Sequence, residues 1–218
     1  MKNIYLVQPT TENVSVAYFP YAAGCLAAYA WSFEDIKQGF SLRETFFLRE
    51  DFGDILKRMH NPFLVGFSNY LWNHEYNKAL AKRVKEAFPE CLIVFGGPQI
   101  PFNASLLEKY PFIDILQHGE GEISFRDLLR ALAAHTDLSC VNNISFRTKS
   151  GVLTTSYCAA TDLDFPSPYQ SGFIDDIIQK NPSFHFDALI ETNRGCPYKC
   201  AYCSWGGVKG KVRQFPKE

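Results

Sequence analysis

Short, unbroken apolar runs alternate with segments whose apolar residues recur at helical spacing, from residue 1 to about 135. Ile4–Val7, Thr45–Leu48, Phe63–Ser68, Cys91–Phe95 and Ile113–Leu116 read as strands. Ala22–Trp31, Phe52–His60, His74–Phe88, Ala104–Tyr110 and Glu122–Ala134 read as the helices between them. The strands are continuously apolar rather than alternating, which suits a parallel sheet covered on both faces. Strand–helix alternation at this spacing is the signature of a doubly wound α/β domain with a parallel sheet.

Beyond residue 140 the pattern changes. Asn143–Thr148 and Val152–Thr155 flank Lys149-Ser150-Gly151 and read as a β-hairpin. Residues 156–187 hold Pro166, Pro168, Gly172 and Pro182 among polar residues and read as an ordered linker. Ala188–Thr192 starts a new strand. The expected division is therefore 1–140, 141–187 and 188–218.

With 46% hydrophobic and 21% charged residues the chain has an ordinary globular composition. A net charge of −1 leaves no basic field to attract phosphate, which argues against nucleic acid as a partner. The basic tail Lys209, Lys211, Arg213 and Lys217 reads as a solvated face. No apolar window approaches the length of a membrane span, and the N-terminal apolar stretch is too short for a signal sequence. A reduced, cytoplasmic setting suits the unpaired cysteines.

Candidate chemistry concentrates in Arg194-Gly195-Cys196-Pro197-Tyr198-Lys199-Cys200-Ala201-Tyr202-Cys203. Cysteine thiolates ligate iron–sulfur clusters, and a four-iron cluster takes four ligands, so three cysteines leave one iron open. A structural zinc site wants four ligands in spaced pairs; His185 is the nearest candidate fourth, without a second pair around it. Cys200-Ala201-Tyr202-Cys203 alone reads as a redox C-x-x-C lacking its usual context. Disulfide scaffolding does not fit seven cysteines of which Cys25, Cys91, Cys140 and Cys158 are scattered singly.

The spacing Cys196-x3-Cys200-x2-Cys203, with Tyr202 before the third cysteine, resembles the cluster loop of the radical S-adenosylmethionine (SAM) family. That resemblance implies a [4Fe–4S] cluster on Cys196, Cys200 and Cys203, SAM on the open iron, and Tyr202 beside the SAM adenine.

A second site is expected where the strands of an open α/β sheet end. The segments there are Gln8-Pro9-Thr10, Ser68-Asn69-Tyr70-Leu71-Trp72-Asn73 and Gly96-Gly97-Pro98-Gln99. A hydroxyl at a strand end can hydrogen-bond a buried ligand tail. Glycines let backbone approach a large flat ligand. The first strand is followed by Pro9-Thr10-Thr11-Glu12-Asn13 rather than the glycine pattern of a dinucleotide fold.

Ser68, Gly96-Gly97, His118-Gly119-Glu120-Gly121-Glu122 and Thr192-Asn193-Arg194-Gly195-Cys196 together resemble the cobalamin-binding radical SAM proteins across nearly the whole chain. The resemblance implies cobalamin contacts from Pro9, Thr10, Ser68, Tyr70, Leu71, Gly96, Gly97, Pro98, Gly119, Glu120 and Gly121. It departs at Phe19-Pro20-Tyr21-Ala22-Ala23-Gly24, where many cobalamin domains carry a cobalt-ligating histidine and this chain has none. His118 reads as a surface or hydrogen-bonded residue.

The resemblance further implies methyl transfer to an unactivated carbon of a small-molecule or peptide substrate. A radical generated from SAM would abstract hydrogen, cobalamin would carry the methyl group, and an electron donor such as flavodoxin or ferredoxin would serve the cluster. Rearrangement or cyclisation is an alternative chemistry, and a non-catalytic cobalamin-binding module is an alternative of another class. The family's (β/α) barrel begins at the cluster-bearing strand and takes about 250 residues when complete. Ala188 to Glu218 accommodates one βα unit, so this chain is expected to be the first part of such an enzyme and inactive alone.

Overall fold

The computed structural model describes residues 1–10, 16–198, 200–203 and 212–216. The basic-tail residues Lys209, Lys211 and Lys217 lie outside them, as do Thr11, Glu12, Asn13 and Lys199.

Five parallel strands form the centre: β1 (Lys2–Val7), β3 (Phe40–Phe46), β4 (Pro62–Ser68), β5 (Leu92–Gly96) and β6 (Ile115–Gln117). They lie in the order β3-β1-β4-β5-β6. This is the flavodoxin-like order, with its switch point between β1 and β4. Alternation along each strand divides the core. Ile4, Leu6, Leu64 and Val94 face α1 (Tyr21–Ala30) and α6 (Glu122–Ala134). Tyr5, Val7, Val65, Ile93 and Phe95 face α3 (Phe52–Arg58), α4 (His74–Ala87) and α5 (Ser105–Lys109).

The hairpin forms as expected, from β7 (Ile144–Thr148) and β8 (Gly151–Thr154). It does not stand apart. β7 pairs antiparallel with β6, so the sheet has seven strands, with β3 and β8 at its two edges.

The expected linker contains α7 (Phe173–Lys180), whose Ile174 and Ile177 bury against Ala17, Phe19 and Phe47. The strand expected at Ala188–Thr192 does not form. These residues run extended and largely exposed between β9 (His185–Asp187) and β10 (Asn193–Arg194). β9 pairs parallel with β2 (Val16–Tyr18), and β10 pairs antiparallel with β11 (Arg213–Gln214). A strand needs a neighbouring backbone. At 188–192, among the described residues, backbone pairing reaches only Thr192, whose carbonyl accepts from the Phe215 amide at 3.2 Å; at Leu189 the Tyr169 hydroxyl donates to the carbonyl at 2.9 Å and accepts from the amide at 3.0 Å.

Candidate functional site

The carboxyl ends of β1, β4, β5 and β6 form one edge, and its backbone is held by buried amides. Asn69, Asn73 and Asn77 are fully buried. Asn73 Nδ2 donates to the Pro9 carbonyl at 3.0 Å and the Ser68 carbonyl at 3.1 Å, bridging the switch point. Asn77 Nδ2 donates to the same Ser68 carbonyl at 3.1 Å, and the Asn69 amide reaches the Gly96 carbonyl at 2.7 Å. Gln8 turns its side-chain oxygen to the Ala23 amide at 2.8 Å, supplying the acceptor that Pro20 cannot offer at the start of α1. The three asparagines were not singled out from sequence, although their spacing of four places them in register along the entry to α4.

Thr10 is buried, its amide donating to the Phe47 carbonyl at 2.9 Å. Ser68 is half-buried, its carbonyl accepting from Asn73 and Asn77. Burial raises the Tyr70 pKa above the usual tyrosine value. Leu71 is 81% exposed, and Trp72, half-exposed, stacks on Tyr70 with ring centroids 4.7 Å apart. Pro98 is exposed.

At Gly97, φ is +98°, and a Cβ would sit 2.7 Å from the Asn69 carbonyl oxygen. The chain's own backbone therefore requires glycine there, whatever lies outside it. At Gly96 a Cβ would meet only Gln117, at 3.7 Å.

His118 is buried rather than on the surface, and its Nε2 shares a 2.7 Å hydrogen bond with Ser145 Oγ. Its Nδ1 faces the Pro101 backbone without a hydrogen bond of good geometry. Burial lowers its pKa. The exposed Phe102 ring stacks on His118 and meets Tyr157 edge-on at 5.2 Å. The histidine-free stretch 19–24 is engaged in packing: a Cβ at Gly24 would approach Pro168 to 2.9 Å. Cys25, just beyond it, is buried, which pushes its thiol up to about 12, with the Glu122 charge adding to the shift.

The cysteine loop leaves β10 and returns through β11. Arg194, 13% exposed at its side chain, donates to Glu122 at 2.6 Å and to Glu191 at 3.0–3.1 Å, and lies 3.8 Å from Glu120. Arg213 pairs with Glu120 through both terminal nitrogens, one at 2.9 Å, and donates to the Ala160 carbonyl. Burial alone would depress the Arg194 pKa. The hydrogen bonds and charges of Glu122 and Glu191 outweigh it and raise the pKa. Glu120, expected among cobalamin contacts, thus has its carboxylate on arginines. Gly119 has φ +67° and packs against Tyr157, and Gly121 lies against Leu26.

Cys196 is half-buried, Cys200 and Cys203 are exposed, and all three thiols are free. Tyr202 is 93% exposed. Among the described residues the three sulfurs are not gathered into a metal-holding group. The donor set nonetheless fits an iron–sulfur cluster with one iron left open, because three soft ligands stand unpaired on one short loop. The strand-end edge likewise fits a large flat ligand, with exposed Leu71, Trp72 and Phe102 on the loops after β4 and β5.

No family model matches the chain. Its relatives include the cobalamin-dependent radical SAM methyltransferase TokK of Streptomyces tokunonensis, 36% identical over 208 residues, covering 92% of this chain and 30% of that protein. A 2-(S-pantetheinyl)-carbapenam-3-carboxylate methyltransferase of Streptantibioticus cattleyicolor is 35% identical over 211 residues, 94% of this chain and 31% of the relative. The structure of the cobalamin-dependent SAM radical enzyme OxsB with aqua-cobalamin and SAM aligns over 99% of this chain and 30% of its own, with TM-score 0.75 and 21% identity. This chain spans about 30% of the length of these two curated relatives. By sequence, over 92% of its length, the chain is thus similar to a cobalamin-dependent radical SAM methyltransferase.

Proposed function

We propose that these residues form the first part of a cobalamin-dependent radical SAM enzyme that transfers a methyl group to an unactivated carbon of a small-molecule or peptide substrate. The observation that carries this reading is the joining of a three-thiol loop to the carboxyl edge of a flavodoxin-like sheet, through Arg194 and Arg213. Cys196, Cys200 and Cys203 would hold a [4Fe–4S] cluster, with Tyr202 against the SAM adenine. Pro9, Thr10, Ser68, Tyr70, Leu71, the Gly96-Gly97-Pro98 turn and the Gly119–Gly121 turn would border cobalamin. When bound, the cluster with SAM supplies one-electron hydrogen abstraction and cobalamin supplies the methyl carrier.

This chain's own residues hold and orient. The asparagine network fixes the β1 and β4 ends before any ligand arrives, so less ordering is left to binding. Residues 19–24 offer no imidazole, so cobalt would bind without a histidine from that stretch. The expected division at residues 140 and 187 remains our frame, with the hairpin serving the first sheet. The activity belongs to the whole enzyme, served by a flavodoxin or ferredoxin in the cytoplasm. Among the described residues no helix is long and apolar enough to cross a membrane.

Anaerobic reconstitution with iron, sulfide and hydroxocobalamin tests the proposal. Brown cluster absorbance and a cobalamin spectrum are expected. Alanine at Cys196, Cys200 and Cys203 should abolish the first and spare the second, whereas alanine at Cys140 or Cys158 should change neither. Stoichiometric zinc in place of iron, or no retained cobalamin, would overturn it.

A further inference from the structure

The geometry points to Arg194 as a positioning residue, and to the turn Gly119–Glu122 as the seat that registers the cysteine loop on the sheet edge. This rests on the reading above for what the loop holds, but the docking itself is a property of the chain.

Arg194 and Arg213 are direct partners across the β10–β11 ribbon. Like charges in that relation repel, and a two-residue ribbon has little else to hold it closed. The Glu120 carboxylate lies against both guanidinium groups, at 2.9 Å from Arg213 Nη1 and 3.8 Å from Arg194 Nη1. Glu122, 5% exposed at its side chain, needs a cation in turn, because a buried unpaired carboxylate is strongly destabilising. Each partner therefore requires the other.

The two contacts act on the two stems of one loop. Arg194 precedes Cys196 by a single glycine, with φ +97° at Gly195. Fixing Arg194 fixes where the loop departs from the sheet. Glu191 closes the same guanidinium from within the segment, and the rings of Phe165 and Phe215 lie 5.7 and 5.6 Å from it. Between the stems, the described part of the loop has exposed Tyr198, Cys200 and Tyr202. Position here comes from directional charge pairing rather than from packing of the loop itself.

Hydrogen exchange on the unloaded chain tests this without any cofactor. Glu122→Gln should accelerate amide exchange across residues 193–203 about tenfold or more, as expected when one partner of a buried pair is removed. Amides of Ile93–Phe95 should be unchanged. Glu122→Asp, which keeps the charge, should restore most of the protection. Arg213→Gln, on the outer stem and more exposed, should give a smaller acceleration, about threefold. Arg130→Gln, which breaks the exposed pair with Asp35 elsewhere on α6, should leave the loop alone. In the iron-loaded chain, Glu122→Gln should release iron to a chelator faster by a similar factor.

Unchanged exchange at 193–203 in both Glu122→Gln and Arg213→Gln would overturn the inference, as would equal acceleration in the central strands. Should the unmodified chain take up no iron, the functional reading fails while the exchange result still decides the docking.

Discussion

The carboxyl edge of the sheet and the cysteine loop are both candidate sites, yet they are held in opposite ways. At the edge, the asparagines are fully buried, and the strands behind them bury Val65, Ile93 and Phe95 completely. In the loop segment, Ile190 is 78% exposed, Tyr198 70% and Tyr202 93%. Burial is strong but non-directional. It can make an edge rigid, but it does not tell an exposed loop where to sit. Guanidinium–carboxylate pairs contribute less stability and more direction. The edge is thus completed by the chain alone, whereas the loop is placed and left open, its thiols unpaired.

The sharpest way to break this contrast is thiol chemistry. Burial pushes the Cys91 thiol up to about 12, as it does that of Cys25. At pH 8 the thiolate of such a group is roughly one part in ten thousand. Alkylation of the native chain, read by mass spectrometry, should therefore label the exposed Cys200 and Cys203 far faster than Cys25 and Cys91, which are both covered and held protonated. Comparable rates at Cys25 and Cys200 would show that the edge opens as readily as the loop.

A glycine pair on the edge gives the next largest effect. Gly97→Ala places a Cβ against the Asn69 backbone at a positive φ, and should cost about 1–3 kcal/mol in denaturant unfolding. Gly96→Ala, with 3.7 Å to its nearest neighbour, should stay within about 0.5 kcal/mol. Equal costs would mean that the Asn69 strap yields, and that the edge is less rigid than its hydrogen bonds imply.

Much of this contrast was legible in the sequence. Helix Glu122–Ala134 was read with its observed bounds, because Phe125, Leu128, Leu129 and Ala131 repeat at helical spacing. The apolar pattern sets the second strand at Thr45–Leu48, whereas it spans Phe40–Phe46. As an edge strand it has an interrupted burial pattern, and a search for continuous apolar runs passes over it. Helix Phe173–Lys180 was hidden among prolines, although Asp175 and Asp176 in its first turn and Lys180 in its last carry the charge order of a helix. Ala188–Thr192 looked like a strand because Leu189 and Ile190 are apolar; composition does not supply the partner that a strand requires. The cysteines could be found by spacing alone. The seat of Arg194 could not, since Glu122 lies 72 residues away and no local pattern joins them.

The smallest effect is acid sensitivity on the edge side. His118 and His74 both have pKa values lowered by burial, with the Lys78 charge adding to the shift at His74. In the unfolded chain a histidine takes up its proton near 6.5, while these two resist it in the fold. Between the lowered and the ordinary value the unfolded state binds more protons, so stability rises with pH there. It is complete above about 6.5 and falls as the pH drops below that value. His118→Gln keeps a polar partner for Ser145 and removes the titration. Unfolding in denaturant at pH 7.5 and 5.5 should show a smaller loss in this variant than in the unmodified chain, with His74 accounting for part of the remainder. The loop should feel none of this, because neither histidine has a hydrogen bond or ring contact with its described residues: exchange at 193–203 relative to the sheet should keep the same ratio at both pH values. An acid loss identical in the variant would mean that His118 protonates freely in the fold. That would require its Nδ1, facing Pro101, to reach a partner once charged, and would make this part of the edge as adaptable as the loop it supports.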